Sequence, residues 1–550
     1  MQTSLDVSVP APFQRETIMH QNEQNRFGSA EFCNERDLNR AGMFKQHPHS
    51  LLVGFIENKP IWYSGTGGLL LIAGARGGKL RDLLSYNLCA GIHAPSMLVL
   101  DMKGELAAIS QDQTADRKHC IYWNPAALHS LPQHRINPVD YVRIDSPSLI
   151  SDVKVLAHNL IPPSGRHNGD YFEARAREFL EGIILTLVRL HGVLTFALLY
   201  EAVNLIPGGG EAWLNFAFEM NQSGFAVSAR IEEEIAASRD GHSGSGFQGI
   251  LGEVFKALSP LSDPTLMAAV SPPFDFSMEQ MCADQAVQLY IMPPAEFIEP
   301  WAPVIKALFV AGMIYKARKA QAPQQTWILD ECAQLGGFPL VEKLFTYGAG
   351  IGIRPWAVFQ SVFQMERIGK GAQNIITSSA QLRSYFAIRD IETAQSVSRM
   401  LGAQTLEYDD ELMQQRARHA RHQAMQSMMS GGDPLTAGMS IAHHSREAQQ
   451  RSKQHRQLRT PEEVLNTPKD HQYIFTDDLP KPLLATRKPY YEQAFMAGRY
   501  HPNPYHPPLD GVRVKTRWGH TWRKVIRELV PAPFADYPQY ADGWWSRIAP

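Results

Sequence analysis

Short apolar runs that end on a polar or charged residue recur along this chain of 550 residues. GLLLIAG (68–74) runs into a glycine-rich loop, SMLVLD (96–101) ends on an aspartate, and QAVQLYIMPP and QTWILDE (325–331) have the same character. IRPWAVFQ (353–360) alternates less cleanly and ends on a glutamine. Unbroken apolar runs of this length suit strands buried on both faces. Stretches of helical period separate them, so the pattern predicts an α/β fold, a mostly parallel sheet wrapped by helices, with ligands outside the carboxyl ends of the strands. Lys79, Asp101, Asp330 and Gln360 converge on that edge.

Between about 148 and 275 the period becomes helical, as in DYFEARAREFLEGIILTLVRL and GFAVSARIEEEIAAS, broken by IPGGG and DGHSGSG. This predicts an all-helical domain inserted between strands. GIILTLVRLHGVLTFALLY (182–200) is long enough to span a bilayer, but Arg189, His191 and Gly192 in its middle favour a buried helical hairpin. Residues 411–459 are rich in Gln, Met, His and Arg and read as a mobile basic and polar segment. Beyond 510, VRVKTRWGHTWRKVIRELV interleaves cations with Trp518 and Trp522, a pattern that suits packing onto its own domain or stacking on single-stranded bases.

Composition narrows the classes. With 44% hydrophobic and 20% charged residues, the chain is globular and long enough for several domains. A net charge of -2 gives no global pull toward nucleic acid or an anionic membrane, so any such contact depends on local patches. The five cysteines lack metal spacing and suit a reducing cytoplasm. The first residues lack both the basic start and the apolar core of a signal peptide.

Candidate chemistry begins at GLLLIAGARGGKLRDLLSYN (68–87). A phosphate-binding loop reads G-x-x-x-x-G-K-[ST], its backbone cradling phosphates, its lysine reaching the β- and γ-phosphates and its hydroxyl holding magnesium. Gly78 and Lys79 fit, Ala73 replaces the first glycine and Leu80 the hydroxyl; Gly74, Ala75, Arg76 and Gly77 complete the loop. The loop follows a strand and opens a helix, where backbone amides face an anion. In TWILDECAQLG, Asp330 ends a strand and can hold magnesium through water, while Glu331 can orient or deprotonate an attacking water. Gln360 is placed to sense a γ-phosphate, and DMKGE sets Asp101, Lys103 and Glu105 beside the same edge.

These residues, in this order, resemble the TraG/TraD coupling proteins of type IV secretion systems, hexameric ATPases that deliver DNA or protein substrates to a channel. The resemblance runs from about residue 27 to about 500 and rests on RFGSAEFCNERDLNRAGMF, SMLVLDMKGEL, INPVD, LDECAQLGGFPLVEKLFTYGAGIGIRPWAVFQS and RTPEEVLNTPKDHQYIF. It implies a RecA-like P-loop domain using ATP and Mg2+, with Lys79 on phosphate, Asp330 on magnesium, Glu331 as catalytic carboxylate and Gln360 as sensor. Asp101, Lys103 and Glu105 would line the pocket or a subunit interface. The implied partners are single-stranded DNA with a relaxase, or effector proteins, together with channel components, in a homo-hexamer or beside a membrane-anchored partner. The implied location is cytoplasmic, peripheral to the inner membrane, because the family's N-terminal transmembrane pair is not in this sequence.

On this reading, residues 1–26 form a flexible tail, 27–147 and 276–410 the two parts of the nucleotide domain, 148–275 the helical insertion, 460–510 a closing segment and 511–550 a C-terminal extension. The chain departs from the family at Leu80, which cannot touch magnesium, and at Ala349, where an arginine commonly reaches a neighbouring γ-phosphate; Arg354 is a candidate replacement. These departures leave open a non-hydrolysing adaptor of the same fold. A DNA pump unrelated to secretion is a further alternative, against which the LDE-x-AQLG block argues.

Overall fold

The computed structural model describes residues 28–111, 118–163, 169–239, 245–408, 411–430, 433, 435, 438–439, 442–443, 452–506 and 508–550. The expected N-terminal tail lies outside the described residues, as do Arg446 and Arg451 and the side chains of Arg416 and Lys453 in the basic segment. The chain divides into two compact units. The larger takes in Glu35–Ala387, Lys469–Asp478 and Leu484–Pro550; the smaller takes in Ile388–Pro468 and Leu479–Leu483, with the described residues up to Asn34.

In chain order the strands are β1 (Leu51–Ile56), β2 (Lys59–Tyr63), β3 (Leu69–Ala73), β4 (Ser96–Leu100), β5 (His119–Trp123), β6 (Val287–Ile291), β7 (Gln325–Asp330) and β8 (Ile353–Phe359). They continue as β9 (Leu382–Phe386), β10 (Ala403–Tyr408), β11 (Ser452–Gln457), β12 (His471–Thr476), β13 (Leu483–Thr486), β14 (Gly511–Thr516), β15 (Gly519–Leu529) and β16 (Trp544–Ile548). All five apolar runs of the sequence become strands, β3, β4, β6, β7 and β8. They lie in one eleven-stranded sheet of order β2-β1-β13-β12-β9-β3-β8-β7-β4-β6-β5. From β9 to β5 every neighbouring pair is parallel, and β12 closes antiparallel on β9.

Every residue of β3, β4 and β6 is buried, as expected where both faces of a parallel sheet are covered. Helix Ala302–Arg318 covers one stretch, its Phe309 ring 5.8 Å from that of Trp327 on β7. The chain leaves β3 and returns at β4, and β8 and β7 later fill the gap between them. The carboxyl ends of β3, β8, β7 and β4 therefore stand side by side at a switch in strand order, where a ligand crevice opens.

Between β5 and β6 the described chain runs through helices from Leu149–Leu160 to Pro264–Ala269. The apolar GIILTLVRL stretch lies in Asp170–His191, where Ile183, Ile184 and Val188 are fully buried. Gly182 brings that helix against Ile231, and Ser228 donates to the Gly182 carbonyl at 2.8 Å. Among the described residues no helix is long and apolar enough to cross a membrane.

In the smaller unit β10 and β11 pair antiparallel. Helix Ile391–Leu401 is capped by Asp390, which accepts from the Thr393 amide at 2.7 Å, and Pro461–Leu465 by a capping box between Thr460 and Glu463. The polar segment after 411 contributes a helix, Glu411–Met429, because its Met, Gln, Arg and Ala residues are good helix formers whatever their polarity. All five cysteines are buried, and none forms a disulfide among the described residues.

Candidate nucleotide site

β3 ends at Ala73 and the loop turns at once, the Gly77 amide donating to the Gly74 carbonyl at 2.9 Å. Gly77 and Gly78 are both sterically required. A Cβ on Gly77 would stand 2.8 Å from the Cβ of Ala387, and one on Gly78, whose φ is 87°, would stand 2.6 Å from Asp82 Oδ2. Arg76 also takes a left-handed conformation, φ 57°, and both Ala75 and Arg76 are exposed. Lys79 then leads into a widened π-helical turn, Leu80–Leu84, that continues as the α-helix Ser85–Leu88. Such turns are rare and concentrate at functional sites.

A buried ion pair clamps this loop from below. Arg487, wholly buried, donates to Asp82 Oδ2 at 2.7 Å and to the Gly77 carbonyl at 2.8 Å. Its guanidinium lies 3.7 Å from the centre of the Phe386 ring. The sequence reading missed both partners; the only signal was an acid, Asp82, among the leucines of an apolar helix face, which needs a cation when buried.

The loop and the acidic strand end meet directly. Lys79 Nζ donates to Asp330 Oδ1 and to Glu331 Oε1, each at 2.7 Å. Asp330 ends β7, and Glu331 breaks the strand by adopting φ 53°, a left-handed conformation that costs a residue with a Cβ roughly 1–3 kcal/mol. That strain turns the Glu331 carboxylate toward three donors. Besides Lys79 it accepts from Gln360 Nε2 at 3.2 Å and from Gln334 Nε2 at 2.7 Å. Gln334 lies inside the acidic motif but was assigned no role from sequence.

Burial opposes every charge here, and the neighbours decide the outcome. It pulls the Lys79 ammonium down, yet the paired Asp330 and Glu331 charges hold Lys79 above its ordinary range. Burial dominates at Asp330, raising its carboxyl, while at Glu331 the burial effect is outweighed by Lys79 and Gln360, which hold it below the usual range. Glu331 is thus kept ionised, as a proton acceptor must be.

Asp101, just beyond β4, is buried and accepts from the Ala107 amide at 2.8 Å. Burial, reinforced by the Asp330 and Glu105 charges, pushes it up to about 7. A carboxyl raised in the fold favours the protonated native state, so its stabilisation is complete at low pH and is lost as pH rises through about 7. Asp101→Asn is therefore expected to raise the melting temperature relative to wild type most at pH 8, by less at pH 5 and hardly at all below pH 4, measured by thermal denaturation across that range. Glu105 accepts from Asn503 at 2.6 Å, and Lys103 lies near enough to Asp330 and Glu331 to oppose the effect of burial at both.

Two sequence departures now have a physical setting. Leu80 packs on an apolar cluster of Leu52, Phe55, Tyr86 and Val512 rather than facing the carboxylates. Arg354, the candidate replacement for the missing arginine, is fully buried on β8 and donates to the Gly65 and His49 carbonyls at 2.9 and 2.8 Å and to Thr326. It cannot reach a neighbouring phosphate. Ala349 lies exposed in the turn Gly348–Ile351.

The glycine cradle, a lysine beside it and two carboxylates opposite fit a polyphosphate with a divalent ion. Magnesium takes most of its ligands from phosphate and water, so the single carboxylate of Asp330 beside a bound polyphosphate suits it. The sheet order and this arrangement define a RecA-like P-loop α/β fold with a candidate nucleotide site. The chain belongs to the type IV secretory system conjugative DNA transfer family, whose sequence profile matches residues 20–507.

It is 24% identical over 424 residues to the conjugal transfer protein TraG of Escherichia coli, covering 69% of this chain and 65% of that protein. It is 26% identical over 282 residues to TraG of Agrobacterium fabrum, covering 50% and 39%. This chain thus spans less than two thirds of the length of these relatives. Among solved structures it resembles the bacterial conjugative coupling protein TrwBdeltaN70, with a TM-score of 0.57 at 15% identity over 84% of this chain and 95% of that one. It also resembles TrwB in complex with ADP and Mg2+, with a TM-score of 0.54 at 15% identity over 84% and 94%.

Proposed function

We propose that this protein is a coupling ATPase of a type IV secretion or conjugative transfer system, recruiting DNA-protein or protein substrates and driving their delivery to the channel with ATP. The observation that carries this reading is the double contact of Lys79 with Asp330 and Glu331, which brings the phosphate loop and the acidic strand end into one site. When a nucleotide binds, Lys79 exchanges carboxylates for phosphate oxygens, and Glu331 is released to orient the attacking water and take its proton. Gln360 and Gln334 hold Glu331 in place through that exchange. Asp330 would hold magnesium through water, and the ion would neutralise phosphate charge. Asp101, Lys103 and Glu105 border the pocket or a subunit contact.

The helical region 148–275 is assigned to substrate selection. The assembly is a homo-hexamer or a complex with a membrane-anchored partner at the cytoplasmic face of the inner membrane. The DNA cargo is single-stranded and bound to a relaxase; the protein cargo is an effector. Leu80 and Ala349 favour a second reading, an adaptor that retains the fold and recruits substrates for an active motor, whereas three donors trained on Glu331 favour hydrolysis. A mating assay in a strain lacking the native gene tests the coupling role. Complementation by wild type is expected to restore transfer and Lys79→Ala to leave it at background. Full transfer with Lys79→Ala would contradict the proposal.

A further inference from the structure

The C-terminal sheet β14–β16 lies beyond the residues matched by the family profile. From 511 to 527 it carries Arg513, Lys515, Arg517, Arg523, Lys524 and Arg527 without an acidic residue. Its register sorts these side chains. Arg513 stands opposite Trp522, Lys515 opposite His520 and Gly511 opposite Lys524, and directly opposed residues of an antiparallel pair share a face. The other face carries Val512, Val514, Val525 and Ile548, which pack on the apolar cluster that also receives Leu80. One face is thereby fixed to the body of the larger unit; on the other, Arg513 lies 5.9 Å from the Tyr491 ring centre and Trp522 lines a cavity with Leu80 and Tyr491, while Lys515, His520 and Lys524 are exposed.

The aromatic residues are unusually open. Trp518 at the hairpin tip is 91% exposed and Trp522 56%, which a hydrophobic contribution to folding does not explain. The Arg517 guanidinium lies 5.6 Å from the Trp518 ring centre, and Arg513 donates to His520 Nδ1 at 3.3 Å. Lys515, Arg517 and Lys524 make no ion pair among the described residues.

We infer that the outer face of the β14–β15 hairpin is a binding site for single-stranded nucleic acid. Bases stack on Trp518 and Trp522, while Lys515, Arg517 and Lys524 track the phosphates. Cations alone would suit any acidic partner; two open indoles beside them add flat faces that planar bases fill regardless of sequence. Trp522 lines one cavity with Leu80 and Arg81, so a strand stacked on it lies near the start of the helix that follows Lys79. The site itself does not rest on the proposed hydrolysis, because binding is measured without nucleotide.

The test uses the full chain and fluorescein-labelled oligo(dT) of about 20 nucleotides, followed by anisotropy over a salt series. Trp518→Ala with Trp522→Ala is expected to weaken binding by about tenfold or more at fixed salt. Neutralising Lys515, Arg517 and Lys524 to glutamine is expected to lower the slope of log affinity against log salt by about 2. Melting temperatures of both variants should match wild type, since the altered side chains are exposed; Trp518→Ala alone, at the tip, serves if the double variant melts early. Unchanged affinity and slope in both variants would overturn the site. Competition by polyglutamate as effective as that by oligo(dT) of equal charge would also overturn it, in favour of an acidic protein partner.

Discussion

Glu331→Gln is expected to lower single-turnover ATP hydrolysis by about 10²- to 10⁴-fold while leaving ATP affinity close to wild type. The amide keeps the size of the side chain and its place beside Lys79, Gln360 and Gln334, but it cannot take a proton. Rapid-quench hydrolysis and nucleotide titration on the same preparation separate the two effects. A variant that hydrolyses at the wild-type rate would remove Glu331 from the chemistry and favour the adaptor reading.

The second large effect concerns the clamp beneath the loop. Arg487→Ala removes the buried partner of Asp82, leaving it only the half-exposed Arg81 at 2.6 Å, and frees the Gly77 carbonyl, so a loss of about 1.5–3 kcal/mol in stability is expected by urea denaturation. The double variant Arg487→Met, Asp82→Leu replaces the pair by apolar groups and is expected to recover much of that stability. Nucleotide affinity is expected to stay low in the double variant, because the Gly77 carbonyl has lost its anchor and the glycine turn its fixed shape. Recovery of both together would mean that the pair contributes stability alone and does not shape the loop.

What could be read in advance follows from how local each signal is. β3, β4 and β7 are short apolar runs, the first ending on Ala73, the second followed at once by Asp101 and the third ending on Asp330, and both the period and the chemistry of such ends are local properties of the chain. The convergence of Lys79, Asp101, Asp330 and Gln360 followed from parallel topology, since the carboxyl ends of parallel strands share one edge. The clamp was not legible: Arg487 lies some four hundred residues from Asp82, and nothing local distinguishes it from a solvated arginine. The strained turn at Glu331 was hidden for a related reason, because two of the three donors that meet its carboxylate, Lys79 and Gln360, are distant in sequence.

Arg354 shows the reverse error. Its position on a strand near the edge made it a candidate to reach a phosphate, yet β8 directs it into the interior, where two carbonyls and Thr326 take its donors. The C-terminal tail was legible in composition but not in placement. Interleaved Trp and Arg suit packing as well as stacking, and only the register of β14 on β15 separates the apolar face from the cationic one.

The most direct test of the central claim, that Lys79 and Glu331 form a working hydrolytic site despite Leu80, is steady-state phosphate release by the purified protein, with and without single-stranded DNA, against Lys79→Ala. The account predicts magnesium-dependent turnover in wild type that disappears in the variant. Equal phosphate release from both proteins, across protein concentrations and with partner subunits added, would contradict it.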